Sequence, residues 1–120
     1  MAHSIRLREP WDSRYVDGTR KAVRYRRFFN RPTGIESGQQ VFLTLRVLVA
    51  CSLNVSVNEH VSQLIPTGDS AYRARVDQVL SNRNQIELTV APENVHESLP
   101  QECPKIGQQL ISQVIIEIED

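Results

Sequence analysis

The sequence contains none of the short motifs that mark common catalytic and nucleotide-binding centres. A glycine-rich phosphate loop, HExxH, GxSxG and an EF-hand pattern are all absent. The histidines are too scattered to suggest metal ligation, and most of the acids that could form a hydrolytic pair fall at turns, where solvated roles are expected. These residues are His3, His60 and His96, and Glu36, Glu59, Asp69 and Asp77. We therefore predict no catalytic residues, no metal and no cofactor.

Cysteine and long apolar runs are also scarce. Cys51 and Cys103 are the two cysteines, and their spacing leaves two free thiols or a single disulfide open. The first residues lack the apolar segment of a signal peptide, and the longest apolar stretch, Val47 to Cys51, is too short to cross a bilayer. The expectation is a soluble, cytoplasmic protein with no membrane partner.

The net charge is zero, but the charges are unevenly distributed. Residues 1–31 hold eight arginines and one lysine against three acids, whereas residues 92–120 hold six acids and one lysine. A basic half can bind nucleic acid. The overall pI of about 6.8 favours a different interpretation, in which the two ends of the chain lie side by side and neutralise each other. We predict no nucleic-acid partner.

Alternation of apolar and polar residues dominates the rest of the chain. This period of two is typical of antiparallel strands with one buried and one solvated face. Turn residues separate the runs, and the length suits one domain over residues 1–120. The sequence thus predicts an all-β antiparallel sandwich. The alternating apolar positions are Ile5 and Leu7; Leu53, Val55 and Val57; Ile86, Leu88 and Val90; and Val114, Ile116 and Ile118.

Four segments depart from simple alternation. The run 41–50 is apolar on both faces and predicts a central strand covered on both sides. The run 23–29 places an arginine on each face, which indicates a strand end, a bulge or a paired buried charge. Residues 70–80 fit either a helix or, as we prefer, a strand through Arg75 followed by one helical turn over 77–80. Residues 92–108 predict a long loop before the last strand.

The few aromatic residues supply the candidate ligand site. Trp11 and Tyr15 lie in a polar stretch among arginines and aspartates. Aromatic rings beside charged side chains are typical of sugar-binding patches. Alternatively, Trp11 plugs one end of the core and Tyr15 anchors a loop. Arginines interleaved with aromatics around Arg26 would also suit single-stranded nucleic acid, although pairing of these arginines with acids on a neighbouring strand is the preferred interpretation. With Tyr72, the residues Trp11, Tyr15 and Arg26 form the predicted site at one loop end.

Four segments between residues 22 and 91 follow a familiar order. They are Val23-Arg24-Tyr25-Arg26-Arg27-Phe28-Phe29 with Pro32, Gly38 to Leu43, Ala50 to His60, and Asp77 to Val90. In this order they resemble the galactose-binding-like jelly-roll domain of beta-galactosidase and beta-glucuronidase-type glycosidases. The resemblance implies a jelly roll of about eight strands and a domain that does not carry the catalytic carboxylates. Glu59 stands where the family has glycine, which leaves a different turn open at that hairpin.

Taken together, the sequence predicts a non-enzymatic binding module with carbohydrate as a candidate ligand. The alternative is a protein interaction or self-assembly domain without a small-molecule ligand, acting on a protein partner or as a homo-oligomer.

Overall fold

The protein is an all-β sandwich of ten strands, seen in a computed structural model that describes residues 3–93 and 99–119. Two single turns of 3₁₀ helix lie at Val16–Gly18 and Asp77–Val79. The strands are β1 (His3–Arg6), β2 (Asp12–Tyr15), β3 (Val23–Asn30), β4 (Gln40–Val47), β5 (Cys51–Val57), β6 (His60–Ser62), β7 (Ile65–Gly68), β8 (Ala71–Arg75), β9 (Arg83–Pro92) and β10 (Ile111–Glu119). This confirms the predicted fold class, with ten strands in place of the expected eight.

The strands form two antiparallel sheets of five. The first sheet has the order β1-β10-β4-β8-β7, and the second has the order β2-β3-β9-β5-β6. Burial of the alternating apolar residues between the sheets creates the core, as the period of two predicts, except at Ile5 on the edge strand β1, which is 42% exposed. The inward positions of the long strands are almost fully buried: Val23, Tyr25, Val41, Leu43, Leu45, Val55, Val57, Ile86, Leu88, Val90, Val114 and Ile116.

The prediction of a β4 covered on both sides was wrong. The strand is central in the first sheet, but its outward residues Phe42 and Thr44 are only half-buried and Arg46 is exposed. Phe42 is apolar because it packs under a charged neighbour on β8: the guanidinium of Arg73 lies 3.5 Å from the centre of its ring. An apolar outward residue here reflects a cation–π contact and no third layer.

Arg27 is the arginine on the inward side of β3. In the part of the chain described, it neither lies at a bulge nor pairs with a buried acid. Arg27 is half-buried, and its guanidinium donates hydrogen bonds to the carbonyl oxygens of Arg8, at 2.9 Å, and of Phe28, at 3.2 Å. The long side chain thereby keeps its apolar stem against the core while its polar end reaches main-chain acceptors.

Two local predictions hold. Residues 71–75 form a strand that is followed by one 3₁₀ turn at 77–79, as preferred over a longer helix. The two ends of the described chain also lie side by side, because β1 and β10 are antiparallel neighbours with His3 opposite Ile118 and Arg6 opposite Ile115. Most arginines of the first 31 residues nevertheless lie on or beside β2 and β3 of the second sheet, whereas Glu117 and Glu119 lie on β10 of the first, so this adjacency of β1 and β10 does not bring the two charge excesses together.

The segment between β9 and β10 contains no further strand or helix in its described part, residues 99–110. Residues 94–98, which include His96, lie outside the described residues. Leu99 donates a main-chain hydrogen bond to Arg20, at 2.7 Å, and so ties this segment to the loop before β3.

Both cysteines are free thiols, Cys51 on β5 and Cys103 in the segment before β10. Burial raises the pKa of each thiol above its usual value. Within residues 3–93 and 99–119, no helix has the length and apolarity that a membrane span requires.

Candidate ligand-binding site

Trp11, the first predicted site residue, is a core residue. Its side chain is 7% exposed, and its indole Nε1 donates to the carbonyl oxygen of Leu7 at 3.2 Å. The main-chain N–H of Trp11 also donates to Glu9 Oε2 at 2.6 Å, and Glu9 Oε1 accepts from the N–H of Ile106 at 3.0 Å. The Trp11 ring therefore fills the sandwich near β2 and offers no open face as a binding platform.

Tyr15 is held between the strand it belongs to and the segment before β10. It lies on the inward side of β2 opposite Val23, and its hydroxyl donates a hydrogen bond to the carbonyl oxygen of Pro100. Burial raises the pKa of this phenol, so it remains a protonated donor at neutral pH. This placement corresponds to the anchoring role considered from the sequence.

Arg26 points outward from β3 and pairs with an acid on the neighbouring strand, as preferred from the sequence. Its Nη2 lies 3.3 Å from Glu87 Oε2, and Asp12 is its cross-strand partner on β2. About a third of its side chain is exposed, so its remaining N–H groups can contact a ligand.

Tyr72 belongs to the other sheet. It lies on β8 between Leu45 of β4 and Pro66 of β7, half-buried against the core. The structure thus brings Trp11 and Arg26 together but leaves Tyr15 and Tyr72 elsewhere. A role for any of the four in ligand binding stays a prediction.

Trp11 and Arg26 share a shallow depression of about 540 Å³, which we call the Phe28 depression. Its lining residues are Pro10, Trp11, Asp12, Arg26, Arg27 and Phe28. Phe28 is 52% exposed, and the guanidinium of Arg83 lies 4.9 Å from the centre of its ring. The depression therefore combines an accessible ring with a carboxylate and guanidinium groups.

Phe28 is the aromatic residue that the sequence-based site missed. The signal was available in the alternation along β3, because inward Val23, Tyr25 and Phe29 fix the opposite, outward parity for residue 28. Trp11 lies in a stretch without such a period, so the sequence offered no way to decide whether its ring faces the core or the solvent.

The outward face of the second sheet continues from this depression. Arg14 of β2 lies opposite Arg24 of β3, and Arg24 lies opposite Thr89 of β9. Two residues further along β3, Arg26 lies between Asp12 and Glu87. Beyond β9, the outward side chains of β5 are short, polar and uncharged: Ser52, Asn54 and Ser56.

Two exposed apolar residues lie at the opposite edge of the sandwich. Val61 of β6 is 81% exposed and Ile65 of β7 is 59% exposed. Both strands are edge strands, one in each sheet. This corner is the surface that the interaction-domain alternative would use.

No protein-family model and no curated protein sequence matches the chain. Solved structures do match it. An FMN-binding beta-glucuronidase from Facaelibacterium prausnitzii L2-6 superposes with a TM-score of 0.69 at 19% identity, over 98% of this chain and 22% of that one. A Bifidobacterium dentium beta-glucuronidase complexed with coumarin-3-O-glucuronide gives 0.66 at 13% identity, over 98% and 30%.

A putative beta-galactosidase from Bacteroides fragilis also matches, with a TM-score of 0.57 at 20% identity over 82% of this chain and 15% of that one. The chain thus spans less than a third of the length of each glycosidase that it resembles. At these identities the likeness establishes the fold, and it confirms the resemblance inferred from the sequence.

Proposed function

We propose that the protein is a non-catalytic carbohydrate-binding module whose ligand site is the Phe28 depression. The observation that carries this proposal is the exposed Phe28 ring beside Asp12 and Arg26. An aromatic face packs against the C–H groups of a sugar, while charged side chains form hydrogen bonds with its hydroxyl groups. Trp11 would form the apolar floor, and Tyr15 would hold β2 in place from behind.

The absence of catalysis in this proposal is supported by how little of the glycosidases the chain resembles. It corresponds to 15–30% of their length, which leaves most of each enzyme without a counterpart in this chain. A shared fold does not by itself transfer an activity. The proposal therefore assigns sugar recognition, and no bond cleavage, to the chain.

Isothermal titration with a panel of neutral and acidic mono- and oligosaccharides tests the proposal. We expect binding in the micromolar to millimolar range, and we expect Phe28→Ala to weaken it about two- to tenfold, since one aromatic contact contributes about 0.5–1.5 kcal/mol. Leu48→Ala is the matched control, because Leu48 is an apolar residue with the same 52% exposure outside the depression. Absence of heat with every sugar at millimolar concentration would contradict the proposal.

The interaction-domain alternative rests on the exposed pair Val61 and Ile65 at the edge strands β6 and β7. We prefer the carbohydrate proposal because the Phe28 depression combines polar and aromatic groups, whereas this corner offers two isolated apolar side chains. Light scattering that shows association with rising protein concentration would favour the alternative.

A further inference from the structure

The outward face of the second sheet holds two arginines directly opposite each other. Arg14 and Arg24 are cross-strand partners on β2 and β3. Side chains at such positions have Cβ atoms about 5 Å apart, and like charges there destabilise the strand pair. Asp12 and Glu87 offset part of this repulsion, and an anion between the two guanidinium groups would offset more of it.

The acidic side chains on this face accept hydrogen bonds from only some of the guanidinium N–H donors of its arginines. Arg14 Nε is 3.0 Å from Asp12, but Arg24 and Arg26 share Glu87, at 4.0 Å and 3.3 Å. The Arg24 contact is too long for a hydrogen bond. Within residues 3–93 and 99–119, the buried Nε of Arg26 has no hydrogen-bond partner. Because each guanidinium carries five N–H donors, several remain for a ligand.

The other half of the face is suited to hydroxyl groups. Moving across the sheet from Arg24, the outward residues are Thr89 on β9 and then Asn54 on β5. Moving from Arg26, they are Glu87 and then Ser56. The distance from β2 to β5 is three strand spacings, roughly 14 Å. A row of this length with short polar side chains fits an oligosaccharide better than a single sugar.

We propose that this face binds an acidic polysaccharide. A carboxylate or sulfate group of the ligand lies over Arg14 and Arg24, and its hydroxyl groups contact β9 and β5. The inference rests on the proposed function and adds the charge of the ligand to it. Single-stranded nucleic acid fits less well, because it requires several stacking aromatics, and Phe28 is the one aromatic on the outward side of this sheet in the described residues.

Two pairs of polysaccharides test the inference, each with one backbone and a charged and an uncharged member: dextran sulfate against dextran, and polygalacturonate against its methyl ester. We expect the charged member of at least one pair to bind at least tenfold more tightly at low salt, with affinity falling as salt rises. The pair that responds identifies sulfate or carboxylate as the recognised group. Arg24→Gln and Arg14→Gln should each lower this affinity about tenfold.

Arg46→Gln is the matched control, because it removes the same charge from the outward face of the first sheet and should leave the affinity unchanged. The two test variants should keep a thermal midpoint close to that of the parent, since each removes a like-charge pair together with a surface ion pair of similarly small energy. Loss of binding in these variants then reflects lost contacts in a folded protein.

The contrary outcomes are distinct. Equal binding of charged and neutral members, lost in Phe28→Ala but kept in Arg24→Gln, would overturn the inference and leave the carbohydrate function standing. No binding of any polysaccharide would overturn the proposed function as well. An Arg46→Gln loss as large as that of Arg24→Gln would mean general charge attraction and overturn the inference. Equally tight binding of oligo(dT) would do the same in favour of a nucleic-acid surface.

Discussion

At the scale of single residues, two buried polar side chains in the core differ in how well they are satisfied. Asn84 is fully buried, and its Oδ1 accepts from Asn58 Nδ2 at 2.9 Å and from the N–H of Ser81 at 2.7 Å. Its Nδ2 donates to the carbonyl oxygens of Ser81 and Phe29. Tyr25 is equally buried, yet its hydroxyl has no hydrogen-bond partner among residues 3–93 and 99–119. Burial raises the pKa of Tyr25 well above its usual value.

Replacement of this hydroxyl should therefore stabilise the protein. A buried hydroxyl without a partner loses its hydration on folding, so Tyr25→Phe should raise the free energy of unfolding by about 1 kcal/mol. Urea unfolding followed by circular dichroism measures the change. Tyr72→Phe, at a half-buried position, is the control and should change the stability little. A clear loss of stability in Tyr25→Phe would show that the hydroxyl forms a hydrogen bond in solution.

At the scale of elements, the hairpin between β5 and β6 keeps a two-residue turn despite its unusual sequence. Val57 pairs with His60, and the two turn residues have positive φ, 52° for Asn58 and 69° for Glu59. This is the turn for which Asn-Gly is preferred. The different turn left open from Glu59 is thus not adopted. Asn58 supports the geometry by donating to Val79 at 2.8 Å and accepting from the N–H of Gln85 at 2.9 Å.

Glu59→Gly should stabilise this hairpin. A residue with a Cβ in the left-handed region is strained, and glycine removes that strain at the cost of a more flexible unfolded chain, for a net gain of about 0.5–1 kcal/mol. Thermal unfolding of Glu59→Gly beside Glu59→Ala measures it, because alanine removes the charge and keeps the Cβ. Equal midpoints for the two variants would show that strain at this position is negligible.

At the scale of the whole molecule, stability should depend on the carboxylate of Asp77, which pairs with Arg75 at the end of β8 and also contacts the beginning of β4. Asp77 accepts from Arg75 Nε at 2.8 Å and from the N–H of Val41 at 3.3 Å. The hydrogen bond from Arg75 is the main reason that the pKa of Asp77 lies below its usual value. A lowered pKa in the folded state means stabilisation above the unfolded pKa, which is lost as pH falls through the folded one.

We therefore expect the free energy of unfolding to fall as the pH drops below about 4, the ordinary pKa of aspartate. Asp77→Asn should lower stability at pH 7 by about 1 kcal/mol, through the weaker hydrogen bond to Val41, and should flatten the acid-side loss. Unfolding curves between pH 2 and 7 test this. Asp69→Asn, at an exposed turn, should follow the parent protein. An acid loss of the same size in Asp77→Asn would assign it to other carboxyl groups.

The sequence predicts those features of the structure that depend on the alternation within a single strand. Alternation identified the inward residues of β5, β9 and β10, because the period follows from the pleat alone. Contacts between distant segments escaped prediction. The outward Phe42 depends on Arg73 of another strand, and burial of Trp11 depends on an irregular chain near Leu7. The candidate site taken from the sequence contains Trp11 and Arg26, which line the Phe28 depression, and it does not contain Phe28 itself.

The lengths of the edge strands have a consequence for how this protein meets other molecules. The four edges, β1, β2, β6 and β7, contain only three or four residues each, and β7 includes Pro66 and a shift in register. Short or interrupted edges give another chain little main-chain template to extend, which protects β proteins from edge-to-edge aggregation. The outward side chains of the two sheets are therefore a larger surface for contact with another molecule than the strand edges are.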